Sequence, residues 1–231
     1  MLVLQSPPMD LLIFDFDGLI LDTETVAFQA WTEIFESYGV TLPLSQWALC
    51  IGTTYNSFDV FKYLESLVGK PLDHQELRER QHRRVTELLG PMKPRPGVVE
   101  YLEEAHRLRI ALALASSSHQ DWVVGHLSRF GLADMFHSIR CANDVERVKP
   151  DPELYLLTLT TMGVSPNRAV AFEDSPNGIK AANAAGIFCV AVPNSVTGLL
   201  PLDHADHRIE SMADISLTEL LHNIETRKSK A

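Results

Sequence analysis

Cysteine is scarce in this chain of 231 residues: only Cys50, Cys141 and Cys189 occur, and none forms a CxxC pair. That excludes a disulfide framework and points to a reduced, cytosolic protein with buried or incidental thiols. Positive charge is also in short supply. The 20 Lys and Arg are outnumbered by 30 Asp and Glu, a formal charge of -10. Nucleic acid is excluded as a partner, because such binding is dominated by neutralising phosphates with Lys and Arg. An anionic small molecule would need a locally positive site, made by a metal or a few basic residues. No apolar run approaches the ~18 residues of a membrane span. The segment Met1 to Pro8 has neither a basic flank nor a long apolar stretch, so no secretory signal is expected. There is no internal repeat, no low-complexity segment and no sign of an obligate protein partner. What is present is enough apolar material, 45% of residues, to bury a proper core. The length suits one domain or a domain with a sizeable insertion.

Two textures alternate. Short apolar runs predict buried parallel strands at Leu11–Asp15, Ile110–Ala115, Ala169–Phe172 and Phe188–Val192, with a weaker one at Ile139–Cys141. Helical periodicity fills the intervals. Gly97–Leu108 puts Val98, Tyr101, Leu102 and Ala105 on one face. His119–Phe130, with Ser118 as the expected N-cap, aligns Trp122, Val123, His126, Leu127 and Phe130 before Gly131. Asp151-Pro152 opens Glu153–Met162, and Ser175-Pro176 opens a helix ended by Gly186. This alternation predicts an α/β fold, a parallel sheet with helices on both faces.

The first strand breaks the rhythm. About ninety residues separate Asp17 from the second strand, and none of them reads as a strand. Helical stripes run over Thr25–Tyr38, Ser57–Val68 and His74–Leu89, stopping at Gly39, Gly69 and Gly90. The insertion closes with the Pro-rich stretch 91–96, and looks like a lid on two linkers. We therefore expect a catalytic core of residues 1–22 and 91–231, carrying an α-helical cap at 23–90. The tail Arg227-Lys228-Ser229-Lys230 reads as a frayed, solvated end.

Chemistry concentrates at the ends of the predicted strands, where open α/β sheets bind ligands. Phe14-Asp15-Phe16-Asp17-Gly18 places two carboxylates one residue apart where the first strand turns. Ser116 ends the second strand, Glu173-Asp174 ends a later one, and Lys149 lies just before a capped helix. Phosphoryl transfer needs a nucleophile, a sink for the charge on the equatorial oxygens and a proton donor for the leaving group. A carboxylate such as Asp15 can attack phosphorus, provided a cation separates the two anions. Mg²⁺ fits, with hard oxygen ligands drawn from Asp15 and the pair Glu173-Asp174. Asp17 is placed to give and take the proton. Lys149 supplies a point charge for the nucleophile and phosphate. The Ser116 hydroxyl and the backbone amides that follow, Ser117 first, make a small phosphate nest.

Four segments carry a resemblance. Asp15-Phe16-Asp17-Gly18 with Asp22-Thr23-Glu24, Ala115-Ser116-Ser117-Ser118, Val148-Lys149-Pro150-Asp151-Pro152 and Phe172-Glu173-Asp174-Ser175-Pro176-Asn177-Gly178 are similar to the four motifs of the haloacid dehalogenase superfamily. The resemblance covers essentially the whole chain and is nearest to the phosphatase and β-phosphoglucomutase-like branch. It implies a Rossmann-like three-layer sandwich with a parallel sheet and a helical cap after the first strand. It implies Asp15 as nucleophile and Asp17 as general acid/base. It also implies a metal held by Asp15, the backbone carbonyl of Asp17 and Asp174 with Glu173 nearby, and phosphate held by Ser116 and Lys149.

The expected activity is Mg²⁺-dependent hydrolysis of a small phosphorylated metabolite, a sugar or nucleoside phosphate, through an aspartyl-phosphate. Substrate choice belongs to the cap. Cys50-Ile51-Gly52-Thr53-Thr54-Tyr55 resembles the family's substrate-contacting loop, so Gly52, Thr53 and Tyr55 are candidates. Arg80 is a further candidate, with Arg83 and Arg84 beside it, although an exposed basic helix face explains the three as well. His204 and His207, with Asp203 and Asp206, lack a further ligand at matching spacing and read as a surface loop. Three rivals stand beside the phosphatase. A metal-independent dehalogenase does not need Asp17, Lys149 and the acidic pair together. A phospho-receiver switch does not need to enclose a substrate. A sugar phosphomutase of the β-phosphoglucomutase kind carries a His twelve residues after its nucleophile, where this chain has Ala27. It also has an Arg where this chain has Tyr55.

Overall fold

The computed structural model describes residues 9–49, 51 and 58–228. Six strands, β1 (Leu11–Phe14), β2 (Ala111–Ala115), β3 (Ser138–Arg140), β4 (Ala169–Glu173), β5 (Phe188–Ala191) and β6 (His207–Arg208), pair in the order β3-β2-β1-β4-β5-β6. Every pairing is parallel, as in a Rossmann-like fold. The helices are α1 (Thr23–Ser37), α2 (Leu44–Trp47), α3 (Val60–Val68), α4 (His74–Leu89), α5 (Val98–Leu108), α6 (Gln120–Arg129), α7 (Glu153–Met162), α8 (Pro176–Ala184) and α9 (Leu217–Lys228).

Strand periodicity divides the core between two faces. Leu12 and Phe14 of β1 point into one cluster with Tyr101 and Leu102 of α5, Val123 and Leu127 of α6, and Leu220 and Ile224 of α9. Leu11 and Ile13 point into the other, with Leu154 and Tyr155 of α7 and Ile179 and Ala182 of α8. All four β1 side chains are fully buried, as expected of a central parallel strand covered on both sides.

Among the described residues, the chain between β1 and β2 forms helices α1–α5 and no strand of the sheet. Asp22 caps α1 and Asp59 caps α3, each accepting backbone N–H bonds from the first turn. A third apolar cluster gathers Trp31, Ile34, Phe35, Trp47, Leu64 and Leu77. Its boundary is not the chain boundary. Val26, Ala30, Val85 and Leu89, from the base of α1 and α4, belong to the cluster on the sheet. Val196, after β5, belongs to the helical one. The two chain crossings are tied together: the Arg95 amide donates to the Ile20 carbonyl at 2.8 Å. The Arg95 guanidinium donates to the carbonyls of Gly18 (2.5 Å), Val192 (3.1 Å) and Pro193 (2.5 Å).

Three local expectations change. The N-cap of α6 is His119, not Ser118, whose hydroxyl is committed elsewhere. The helix predicted over Ser57–Val68 starts at Val60 behind Asp59, while Ser57 lies outside the described residues. Of the basic tail, Arg227 and Lys228 are helical, and Ser229 and Lys230 lie outside the described residues. The first two close α9, which buries Leu217, Leu220, Leu221 and Ile224 at helical spacing.

Candidate active site

β1 sits between β2 and β4, and the order of the parallel strands proceeds outward from it to both sides. That is a topological switch point, where the crevice beyond the carboxyl ends of the strands takes ligands. The Asp15 amide still bonds the Phe172 carbonyl (3.0 Å), so Asp15 is held rigidly one residue past β1. The chain then turns through Gly18, at φ +81°. A Cβ there would lie 2.1 Å from Asp174 Oδ2, so both backbone angle and space call for glycine.

Asp15, Glu173 and Asp174 converge, each buried, with carboxylate oxygens within 4.8 Å of one another. Lys149 is 1% exposed; its Nζ lies 2.5 Å from Asp15 Oδ1 and 2.6 Å from Glu173 Oε1. Tyr155, on α7 beneath, donates its hydroxyl to the same Glu173 oxygen at 2.6 Å. Glu173 Oε2 is buried with no partner. Gly178 lets α8 close against this carboxylate, since a Cβ there would fall 1.9 Å from Oε2. Asn194 donates to Asp174 Oδ2 at 2.7 Å. Three carboxylates against one ammonium leave an excess of negative charge in a buried site.

That excess shows in the ionisation. Burial, reinforced by Glu173 and Asp17 and opposed by Lys149, pushes the Asp15 carboxyl up to about 8. Burial and then Asp15 push Asp174 well above the usual carboxylate range. Burial acts to lower Lys149, but Asp15 and Glu173 outweigh it and hold the ammonium above its ordinary value. Hard oxygen donors, surplus negative charge and an orphaned carboxylate oxygen fit a divalent cation.

Asp17 faces another way. Its Oδ1 accepts from Thr23 Oγ1 (2.8 Å) and Trp122 Nε1 (2.9 Å). Its Oδ2 accepts from Ser118 Oγ (2.6 Å) and, more weakly, Ser116 Oγ (3.5 Å). The carboxylate of Asp17 is therefore outside the cluster of Asp15, Glu173 and Asp174 and faces the turn that carries Ser116 and Ser118. The Ser116 amide is spent on the Arg140 carbonyl (2.9 Å), and the Ser118 amide bonds Ser116 Oγ (3.0 Å). The turn 116–118 thus precedes α6 and is not its N-terminus. Ser117 is half-buried within it.

The structure thus gathers Asp15, Asp17, Ser116, Lys149, Glu173 and Asp174 beyond the carboxyl ends of the central strands. It does not bring Arg80 there. Arg80 donates to Ser37 Oγ (3.0 Å) at the last residue of α1, whereas Thr23, the first, touches Asp17. Those ends are about 20 Å apart at ~1.5 Å per helical residue. Arg84 pairs with Glu33 (2.7 Å) and Glu87 (3.2 Å) on the same outer face. Gly52, Thr53 and Tyr55 lie outside the described residues. His204 contacts the Pro176 carbonyl (3.0 Å), and the Asp206 carboxylate accepts from the Cys189 amide (2.8 Å). Four contributors escaped the sequence reading. Trp122 and Tyr155 fit apolar stripes, which conceal a polar tip. Arg95 and Asn194 reach the site from loops without periodicity.

Comparison with known proteins agrees with this geometry. The family profile described as haloacid dehalogenase-like hydrolase matches residues 12–192. YhcW of Bacillus subtilis, provisionally named a phosphatase, is 51% identical over 216 residues, covering 94% of this chain and 98% of its own. The phosphorylated carbohydrates phosphatase of Thermotoga maritima is 36% identical over 181 residues, covering 78% and 82%. A crystal structure of a protein from Thermotoga maritima, provisionally named a β-phosphoglucomutase, superposes with a TM-score of 0.72 at 29% identity, covering 95% and 99%. A carboxylate and lysine cluster of this kind, on this sheet and with these relatives, makes the chain a phosphatase and a member of the haloacid dehalogenase-like hydrolases.

Proposed function

We propose that this phosphatase is Mg²⁺-dependent, uses Asp15 as its nucleophile and hydrolyses a small phosphorylated sugar or nucleoside phosphate. The observation that carries the reading is the Asp15–Lys149 contact of 2.5 Å inside a buried triad of carboxylates. Asp15, Asp174 and the Asp17 backbone carbonyl would hold the cation, with Glu173 adjacent. When bound, the ion neutralises the cluster and offsets charge on the transferring phosphoryl group. Lys149 holds the Asp15 carboxylate in place and offers its remaining N–H to a phosphate oxygen. Ser116 and Ser117 bind a second oxygen. Asp15 Oδ attacks phosphorus and the ester oxygen leaves with a proton from Asp17. Water then attacks the aspartyl-phosphate, giving its proton to Asp17 and freeing Asp15.

Helices α1–α4, residues 23–90, act as a cap over this site. Three contacts support that role. Asn177 Nδ2, beside the acidic pair, donates to the Ile51 carbonyl (2.9 Å). Thr25 and Ser195 hydroxyls bond at 2.9 Å, and Val196 enters the helical cluster. Closure excludes water and completes substrate selection. Ala27, in place of a cation on α1, favours water over a second sugar hydroxyl as acceptor. The free, buried Cys141 and Cys189 suit a reducing cytoplasm. No helix among the described residues is long and apolar enough to cross a membrane.

The test is a panel of phosphorylated metabolites with Mg²⁺, with and without EDTA. Release of inorganic phosphate from sugar or nucleoside phosphates, silenced by EDTA, is expected. Turnover undiminished in EDTA would refute the metal dependence. Glucose 6-phosphate forming from β-glucose 1-phosphate faster than inorganic phosphate would refute hydrolysis.

A further inference from the structure

Asp17 must carry a proton at one stage of the reaction and lack it at the next. Its two oxygens are not equivalent. Oδ2 faces the Ser118 hydroxyl at 2.6 Å, which donates or accepts as required, and more distantly the Ser116 hydroxyl at 3.5 Å, whose oxygen already receives the Ser118 amide. Oδ1 faces Trp122 Nε1 at 2.9 Å, and an indole N–H only donates. The second partner of Oδ1 reinforces the asymmetry. The Thr23 hydroxyl oxygen receives the Gly18 amide (3.1 Å), which directs the Thr23 proton onto Oδ1 (2.8 Å). A proton on Oδ1 would therefore meet two hydrogens already aimed at it.

The indole is itself fixed. Trp122 lies on α6, which packs on the sheet, so this contact does not depend on the inserted helices that carry Thr23. Its ring meets His126 edge-on with centroids 4.3 Å apart, and His126 stacks on Phe16, the residue between the two aspartates, at 6.0 Å. The ring is half-buried and packs against the apolar cluster on the sheet while its N–H reaches Asp17.

We propose that Trp122 is a positioning residue for Asp17: its indole N–H pins Oδ1 as an acceptor, so the proton exchanged during turnover rides on Oδ2, the oxygen on the Ser116 side. This inference rests on the acid/base role given to Asp17 above. In the first half-reaction the Asp15–phosphorus bond forms as the ester P–O bond breaks, and the Oδ2 proton passes to the departing oxygen. In the second, a water oxygen bonds to phosphorus, its proton returns to Oδ2 and Asp15 is released.

The experiment compares kcat/KM for p-nitrophenyl phosphate and phenyl phosphate in wild type, Trp122→Phe and Asp17→Asn. Phenolate is the poorer leaving group and depends more on protonation. For wild type the ratio of the two constants is the reference. Trp122→Phe keeps an aromatic ring but removes the N–H, and is expected to raise the ratio at least about fivefold, within the ~10²–10⁴ that a general acid supplies. A purely structural loss would lower both constants together. A ratio unchanged in Trp122→Phe but raised in Asp17→Asn would overturn the role of Trp122 alone. A ratio unchanged in both would remove the acid role of Asp17 and the inference with it. Should Trp122→Phe not fold, the Trp122 indole N–H proton resonance serves instead. It is expected to move upfield in Asp17→Asn, and an unmoved resonance would overturn the proposal.

Discussion

Replacing Asp174 by Asn should stabilise the metal-free protein while abolishing its response to Mg²⁺. In the metal-free state, Asp15, Glu173 and Asp174 share a buried space with carboxylate oxygens within 4.8 Å. At that separation two unit charges repel by about 3–4 kcal/mol at an effective dielectric of ~20. Burial first, and then this repulsion, raise Asp174 and Asp15, and uptake of protons relieves part of the cost. An amide keeps the shape and still accepts from Asn194, so the gain should survive as about 2 kcal/mol at pH 8. For a chain of this size that is about 4–8 °C in Tm. The sign of the pH dependence follows from linkage. A carboxyl whose pKa is raised on folding holds a proton that the unfolded chain has released. The resulting penalty is absent below ~4, where both states are protonated, and grows as pH rises toward about 8, the value for Asp15. The Tm difference between Asp174→Asn and wild type in EDTA, by calorimetry from pH 5 to 8, should therefore widen with pH. Millimolar Mg²⁺ should raise the wild-type Tm at pH 8 and leave Asp174→Asn unmoved. A variant less stable than wild type in EDTA at pH 8, or equally stabilised by Mg²⁺, would refute the reasoning.

Gly178→Ala should cost several kcal/mol or displace Glu173, because its methyl would stand 1.9 Å from Oε2; thermal unfolding with Mg²⁺ titration reads both effects. Asn177→Ala removes the bond to the Ile51 carbonyl. It should raise KM for a sugar phosphate severalfold while changing p-nitrophenyl phosphate little, and equal losses would deny this contact a part in substrate selection. Leu220→Ala in α9 should cost ~2–5 kcal/mol with activity per folded molecule retained, by denaturant unfolding.

The parallel sheet was legible because its strands are buried on both faces and read as unbroken apolar runs: Leu11 to Phe14 and Ala111 to Ala115 needed no context. The core of the site was legible for a related reason. Asp15 and Glu173 interrupt such runs where a strand leaves the core, and a charge there stands out. α9 was not among the predicted helices, although Leu217, Leu220, Leu221 and Ile224 carry a helical period. Other features are written only in three dimensions. Ser118 satisfies every local rule for an N-cap, yet its hydroxyl bonds a carboxylate 101 residues away in sequence. Arg80 looked available for substrate until antiparallel packing of α4 on α1 carried it to the far end. Trp122 and Tyr155 read as core because an aromatic body dominates its pattern while the polar tip leaves none.

The central claim is that Asp15 accepts the phosphoryl group. Wild-type protein with Mg²⁺ and substrate, quenched in acid during turnover and reduced with borohydride, should yield homoserine at position 15 by peptide mass spectrometry. Asp15→Asn should remain folded and release no phosphate. Steady turnover with no reducible acyl phosphate at position 15, or phosphate release by Asp15→Asn, would contradict the account.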